Sequence, residues 1–341
     1  MSTIDIDKLL EPVSEESPCG EDLEYDPEFG ELERAAQGKQ GHAMGDEEIP
    51  PEPPVWSDVF EAAEALFGRT KDLRVAIHLV HARLNLDGLS GLASGLQLID
   101  KMLQEYWDDV HPELDEEDDN DPTLRMNSLM PLNGQNEFIG SLDHAVLVSS
   151  KTLGRFSMRD IRVANGEITT AEGDDTEITD PSHIEAAFLD CELEELTANS
   201  EAANLCVDAL NGLESYARDQ VGAEYAPDLA ELSSELKVIH STLREQLARR
   251  GVETDPIEGG ASGEGAAPAS VPGEIRSRDD AIRVLDQVCE YFRKNEPSSP
   301  VPLLLQRAKR LISKDFMEIL RDLTPQGVSE AENIGGLDRD D

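Results

Sequence analysis

The sequence predicts an all-α, multi-domain protein, and three observations carry that prediction. Apolar residues make up 38% of the 341 residues but aromatic residues only 4%, which is typical of helices packed through Leu, Ala and Val. Apolar positions recur at spacings of three and four residues through much of the chain, the period of an amphipathic helix. A Gly-, Ala- and Pro-rich stretch at residues 251–273 has the composition of a flexible linker, so the chain holds two or three domains.

The first 54 residues contain few periodic apolar positions and are predicted to be mostly irregular. Pro27 stands where a proline favours the first turn of a short helix. Residues 38–54 are rich in Gly, Pro and acid and predict an exposed loop. Ser57 is the expected N-cap of the next helix, whose apolar face consists of Val59, Phe60, Ala63, Leu66 and Phe67.

Residues 72–122 predict a pair of helices joined by a Gly-rich turn. Thr70 or Asp72 can cap the first helix, and the turn Asp87-Gly88-Leu89-Ser90-Gly91 ends it. The second helix stops before Pro112. Small residues just after the turn allow the two helices to approach closely, namely Gly91, Ala93, Ser94 and Gly95.

The middle of the chain is again mainly helical. Residues 124–151 predict a helical region broken near Asn133-Gly134, and alternation around Asn165-Gly166 predicts a short β-hairpin within residues 156–170. Three helices are expected at 182–196, 200–221 and 227–250. In the last, apolar residues spaced by three and four predict either an antiparallel helical hairpin or a subunit contact.

The C-terminal end predicts a small domain of three short helices. The expected domains are therefore an N-terminal helical domain at 1–150, a middle helical region at 151–250, the linker, a C-terminal domain at 274–328 and a disordered tail at 329–341. A domain this small buries little apolar surface, which favours self-association. The candidate oligomerisation residues are Leu285, Phe292, Leu303, Leu304, Leu305, Arg307, Arg310, Phe316 and Leu320.

The charge distribution separates this domain from the rest. The formal net charge is -44, yet residues 273–341 hold 11 Lys and Arg against 14 Asp and Glu. The residues before them hold 18 and 59, so the acid is concentrated in the N-terminal part. Such a chain is poorly suited to nucleic acid or anionic lipid, which are bound through Lys and Arg. A nearly neutral end favours contact with protein.

Nothing predicts export or insertion into a membrane. The first ten residues are acidic and lack an apolar core, and no apolar run approaches the ~20 residues of a membrane-spanning helix. The four cysteines are scattered, without a CxxC pair, and are expected to be reduced cytosolic thiols.

The sequence contains no strong catalytic or metal-binding motif. The acidic run from Asp115 has Asn120 and Met126 where a calcium-binding EF-hand requires Gly and Glu, so a solvated or protein-contact loop is expected there. Ser90 lacks the second glycine of a GxSxG motif, and neither a P-loop nor a GxGxxG motif occurs. A metal-dependent hydrolase would have to use the region of His78, His81 and His111, although no HExxH motif is present. We therefore expect no catalytic residues, no cofactor and no metal.

One helix of the C-terminal domain carries a local basic face, with two readings left open. It is an ordinary solvated face, or it contacts an acidic neighbour such as another subunit or the N-terminal body. The residues concerned are Gln306, Arg307, Lys309, Arg310 and Lys314.

An ordered series of short motifs resembles the TssA (ImpA) family of bacterial type VI secretion systems. The motifs within residues 18–130 are Pro18-Cys19-Gly20-Glu21-Asp22-Leu23, Glu52-Pro53-Pro54-Val55-Trp56, Lys71-Asp72-Leu73-Arg74-Val75-Ala76, Gly88-Leu89-Ser90-Gly91-Leu92, Tyr106-Trp107-Asp108-Asp109-Val110-His111-Pro112 and Arg125-Met126-Asn127. The stretch from Asn295 to Leu320 is similar to the C-terminal domain of one subtype of the family.

The resemblance implies a cytoplasmic, non-enzymatic scaffold associated with the secretion apparatus at the inner membrane. For this subtype it implies a C-terminal domain that is similar to a phage baseplate component and forms a multimeric ring. The implied partners are further copies of the chain and the baseplate, sheath, tube and membrane-complex subunits. Candidate partner-binding residues of the N-terminal domain are Trp56, Tyr106, Trp107, Asp118 and Asp119.

Overall fold

The computed structural model describes residues 6–39, 41–44, 47–49, 52–115, 118–168 and 179–252, and single helical positions at 285, 301, 305 and 309. The chain divides into two compact units, Met1–Pro256 and Ile257–Asp341. The described part is mostly helical with small antiparallel ribbons, so the predicted mainly-α fold class is confirmed. The domain boundary predicted at residue 150 stays a prediction.

The first unit is built mainly from helices. In its N-terminal part they are the short α1 (Ile6–Leu10) and the longer α2 (Pro27–Gln37), α3 (Trp56–Phe67), α4 (Leu73–Asp87) and α5 (Leu89–Tyr106). Short helical segments follow at α6 (Thr123–Asn127), a 3-10 turn (Met130–Asn133), a π-helical turn (Gln135–Ile139), α7 (Gly140–His144) and α8 (Met158–Ala164). The last three helices are α9 (Pro181–Asp190), α10 (Leu193–Val221) and α11 (Ala230–Arg249).

Two antiparallel ribbons of two strands occur in the described residues. Strand β1 (His42–Met44) pairs with β2 (Glu47–Ile49), and β3 (Val146–Ser150) pairs with β4 (Gly154–Ser157). The hairpin predicted around Asn165-Gly166 lies earlier in the chain, where β3 and β4 form it. Ser157 and Asp160 form a reciprocal capping box that starts α8, and Gly166 follows the end of that helix with a φ of +74°.

Three other boundaries differ from those predicted. Val55, not Ser57, is the N-cap of α3, and no side chain caps it. The helical region expected to reach residue 151 ends at His144 and gives way to β3. The break expected between residues 196 and 200 lies earlier, because Cys191 and Glu192 are extended; α10 then runs unbroken past a buried Ser200.

In the core, α5 packs against both α4 and α10, and α3 packs against α4. The predicted close approach of α4 and α5 occurs at Gly95, where an added Cβ would lie 2.8 Å from the methyl groups of Val80. α10 and α11 form a helical hairpin with fully buried leucines on both helices, such as Leu213 and Leu236. The apolar spacing in α11 therefore serves packing within the chain. No helix among the described residues is long and apolar enough to cross a membrane.

Candidate functional site: a junction fastened by two arginines

Three segments that are far apart in the sequence meet through backbone hydrogen bonds at the start of α4. The N–H of Lys71 donates to the carbonyl of Cys19 at 2.7 Å, and the N–H of His111 donates to the carbonyl of Lys71 at 3.1 Å. The N–H of Leu73 donates in turn to the carbonyl of His111 at 2.9 Å. We call this meeting of residues 19–29, 69–74 and 107–112 the junction.

Glycine is required where the first segment enters the junction. Gly20 has a φ of +74°, and an added Cβ would lie 2.1 Å from the carbonyl oxygen of Arg69. The backbone of Gly20 also pairs with that of Thr70 in an isolated antiparallel bridge. A side chain at position 20 would separate the two segments.

Arg74 fastens the N-terminal segment to α4. Its guanidinium contacts the carboxylates of Asp72 at 2.7 Å, Asp22 at 2.8 Å and Glu24 at 2.9 Å, and it lies over the ring of Phe29. Asp72 is fully buried and also caps α4 by accepting from the backbone N–H of Arg74. Burial alone lowers the pKa of Arg74, but hydrogen bonds and attraction from these carboxylates outweigh it and raise the pKa above its ordinary value.

Arg69, in the loop before α4, makes a second attachment. Its two terminal nitrogens contact Asp26 and Glu28, each at 2.6 Å. Asp26 is the N-cap of α2 and accepts from the backbone N–H of Glu28. That hydrogen bond, followed by the one from Arg69, lowers the pKa of Asp26. The start of α2 is therefore tied to the loop between α3 and α4.

The junction keeps an excess of negative charge at its surface. The two guanidiniums serve five carboxylates, those of Asp22, Glu24, Asp26, Glu28 and Asp72. Asp22 and Glu24 leave 41% and 47% of their side chains exposed, and Glu28 leaves 62% exposed. Their remaining lone pairs face solvent, where they can accept hydrogen bonds from a partner.

Arg125 organises the opposite side of the junction. It is fully buried and donates to the backbone carbonyls of Trp107 at 2.5 Å, Val110 at 2.7 Å and Pro112 at 2.8 Å. Trp107 is the C-cap of α5, where helix carbonyls lack intrahelical partners, and Val110 and Pro112 lie in the segment that follows. Burial lowers the pKa of Arg125. Its guanidinium also covers one face of the Trp107 ring, so it sets the position of that side chain.

Two of the histidines considered for metal binding, His81 and His111, make other contacts. The ring of His81 lies between those of Trp56 and Phe138, and its Nε2 is 2.9 Å from the hydroxyl of Ser141. Burial, with a smaller contribution from the neighbouring His78, lowers the pKa of His81 to about 4.

His111 belongs to the junction. Its Nε2 donates to the carbonyl of Gly20 at 3.2 Å, and its Nδ1 lies 3.7 Å from a carboxylate oxygen of Glu113. Within the described ranges no group of three or more His, Cys, Asp or Glu is placed to hold a metal ion. The metal-dependent hydrolase finds no support in this geometry.

The predicted partner-binding residues divide into two groups. The aromatic residues are half-buried and make contacts inside the unit: Trp56 with His81, Tyr106 with the carbonyl of Leu10, and Trp107 with Tyr216 on α10.

Asp118 and Asp119 are exposed, on a loop that the backbone pair Asp115 and Asp121 closes. Partner binding by all five residues stays a prediction. The half-buried aromatic residues offer less surface to a partner than the exposed aspartates.

Most predicted oligomerisation residues lie outside the described residues. Leu285 and Leu305 are described, and both are helical and half-buried. Those outside are Phe292, Leu303, Leu304, Arg307, Arg310, Phe316 and Leu320.

Sequence reasoning did not single out the arginines of the junction. A signal was present, because acidic residues recur at every second position from Asp22 to Glu28, while Arg69 and Arg74 flank the start of α4. The sequence analysis also did not identify Tyr25 as a surface residue, although its side chain is 94% exposed.

The fold and the junction define a mainly helical protein whose N-terminal segment is held against α4 by ion pairs. The family described as "ImpA, N-terminal, type VI secretion system" matches residues 10–134, which include the whole junction. The "Type VI secretion system component TssA1" of Pseudomonas aeruginosa is 41% identical over 345 residues, which cover 98% of this chain and 98% of that protein. The chain therefore belongs to the TssA family of type VI secretion system components.

A solved structure supports the fold. It is the N-terminal domain, including the ImpA_N region, of the TssA component from Burkholderia cenocepacia. The two chains superpose with a TM-score of 0.60 at 24% identity, over 74% of this chain and 97% of that one. At 24% identity, this similarity supports the fold alone.

Proposed function

We propose that this protein is a non-enzymatic scaffold of the type VI secretion apparatus, in which the C-terminal unit joins copies into a ring and the N-terminal unit binds other subunits. The observation that carries the proposal is the 41% identity to a TssA1 component along 98% of both chains. The match includes both units, so the proposal concerns the whole chain.

The charge distribution supports this division of labour. The ring-forming part, residues 273–341, is nearly neutral, with 11 basic and 14 acidic residues, so copies can meet without strong repulsion. The remaining residues carry almost all of the net charge of -44 and suit contacts with basic partners. We place the ring at the baseplate, on the cytoplasmic side of the inner membrane, with baseplate, sheath, tube and membrane-complex subunits as the partners.

The contacts of the reactive side chains support a non-enzymatic role. Burial, with repulsion from Asp109, raises the pKa of Cys19 to about 12, and burial raises that of Cys206. Neither thiol is therefore disposed to form a thiolate. His81 and His111 are occupied by packing and backbone contacts, so neither of these two histidines is positioned as a catalytic base.

Gene deletion and complementation in the bacterium that encodes the chain test the proposal. Deletion should abolish release of the tube subunit, and the wild-type gene should restore it. Leu304→Glu and Phe316→Glu should fail to restore release, because a charge at the ring contact prevents assembly. Leu189→Glu, at an exposed position of α9, is the matched control and should restore it. Undiminished release by the deletion strain would show that the protein is not a required component.

A further inference from the structure

Tyr25 is the most exposed of the large hydrophobic side chains in the described part of the chain, at 94%. Single exposed apolar residues are common on protein surfaces and do not by themselves indicate a binding site. What distinguishes Tyr25 is the way in which the chain on both sides of it is held. It lies at the surface of the junction, between the residues that Arg74 binds and those that Arg69 binds.

The backbone around Tyr25 is fixed from both directions. Leu23 and Phe29 are buried in the core, and the N–H of Asp26 donates to the carbonyl of Leu23 at 2.9 Å. The N–H of Glu24 donates to the carboxylate of Asp22, also at 2.9 Å. Little backbone entropy is left to lose on binding, and a tyrosine side chain has only two torsions to fix. The junction therefore presents Tyr25 as a preorganised aromatic anchor.

The charges around the Tyr25 ring indicate which side chains a partner needs for binding. Five carboxylates and two guanidiniums leave a net charge of minus three in the cluster, and Asp22, Glu24 and Glu28 remain partly exposed. Arg or Lys side chains of a partner can pair with these carboxylates and stack on the face of the tyrosine ring. Phosphate-bearing partners, such as nucleic acid and anionic lipid, would be repelled.

We propose that Tyr25 is the central anchor of a docking surface for a partner protein that offers an apolar socket rimmed by Arg and Lys. The inference rests on the proposed function, since it names the place where the N-terminal unit binds another subunit. Asp22, Glu24 and Glu28 form the acidic rim of the surface, and Arg69 and Arg74 act as positioning residues through their ion pairs with these carboxylates.

Binding of the full-length protein to purified subunits of the apparatus tests the surface. Baseplate, sheath, tube and membrane-complex subunits are titrated separately by calorimetry, with wild type, Tyr25→Ala, Tyr25→Phe and Tyr225→Ala. Tyr225 is a matched control, since it is 44% exposed in the loop between α10 and α11. The far-ultraviolet spectrum and the unfolding midpoint of Tyr25→Ala should equal those of wild type, because so exposed a side chain contributes little packing.

We expect Tyr25→Ala to weaken the binding of at least one subunit by about 30-fold or more, the effect of removing an interface hot spot. Tyr25→Phe should bind that subunit within a few-fold of wild type, and Tyr225→Ala should bind it equally well. Raising the salt from about 50 mM to about 300 mM should weaken the wild-type complex, because the paired charges are screened.

Two results overturn the inference and are distinguishable. Equal binding of a subunit by wild type and Tyr25→Ala, for every subunit that binds, rejects the anchor and leaves the proposed scaffold in place. Failure of all the subunits to bind the wild-type protein rejects the recruiting role of the N-terminal unit, and the anchor with it.

Discussion

The guanidinium of Arg74 lies 2.8 Å from the carboxylate of Asp22, a residue 52 positions earlier in the chain. This contact brings the N-terminal segment onto the start of α4, and the neighbouring pairs of Arg69 hold the start of α2 in the same way. Part of the acid in this very acidic chain is therefore structural. These carboxylates hold in place an irregular segment that has few apolar residues of its own.

Replacement of Arg74 by Ala should lower the free energy of unfolding by about 3 kcal/mol, because the buried carboxylate of Asp72 loses its cation. Urea unfolding of the full-length protein, followed by far-ultraviolet circular dichroism, measures the loss. Lys39→Ala is the control, since the pair of Lys39 and Glu52 is largely exposed and should be worth less than about 0.5 kcal/mol. Equal losses for the two variants would mean that Arg74 does not fasten the segment.

Replacement of Arg125 by Met should destabilise the first unit by about 3 kcal/mol, because three backbone carbonyls lose a charged donor. It also uncovers one face of Trp107, so tryptophan emission should shift to longer wavelength. Arg218→Met, at an exposed position of α10, should change neither quantity. A stable variant with unchanged emission would contradict the role assigned to Arg125.

Gly95→Ala should cost about 1–3 kcal/mol, because the new methyl group would lie 2.8 Å from the side chain of Val80 across the α4–α5 contact. Val80→Ala makes room, so the double variant should be more stable than the sum of the two single losses indicates. Gly30→Ala is the control, since its Cβ would meet only the flexible end of Arg34 at 3.4 Å. Strictly additive losses would place the crowding elsewhere.

Stability should fall as the pH drops from about 6.5 to about 4, in part through His81. Its pKa is about 4 in the folded protein and near 6.5 in the unfolded chain, so between these values only the unfolded chain takes up the proton. By pH 4 the folded state should have lost about 3 kcal/mol through this group. His81→Phe keeps the ring contacts and removes the titration, so its stability should decline less over this interval. Parallel curves for the two proteins would rule out a buried neutral histidine.

The helical pair and its turn were predictable because their signals are local. Asp72 caps α4 as one of the two predicted caps, the small residues of α5 mark the close contact, and Gly88 stands at the turn with a φ of +62°. The segment after residue 150 was misplaced because Asn-Gly serves equally well in a hairpin and at the end of a helix. The capping box from Ser157 decides for the helix.

The junction could not be assembled from the sequence, although its motifs were recognised one by one. Apart from the pair of Asp72 and Arg74, its ion pairs join residues 41 to 52 positions apart, and no local pattern predicts which carboxylate meets which arginine. The aromatic residues chosen as partner contacts illustrate the same limit. Trp107 was chosen as a candidate partner-binding residue, yet its ring packs against Arg125 and Tyr216 inside the unit.

Self-assembly through the C-terminal unit is the central claim, and the mass of the full-length protein in solution tests it most directly. Multi-angle light scattering should give a particle of several copies of the 37.4 kDa chain, and Leu304→Glu should reduce it to a single copy. The circular dichroism spectrum of the variant should keep the helical signal of the first unit. A wild-type protein that stays at 37.4 kDa over all accessible concentrations would contradict the proposed ring.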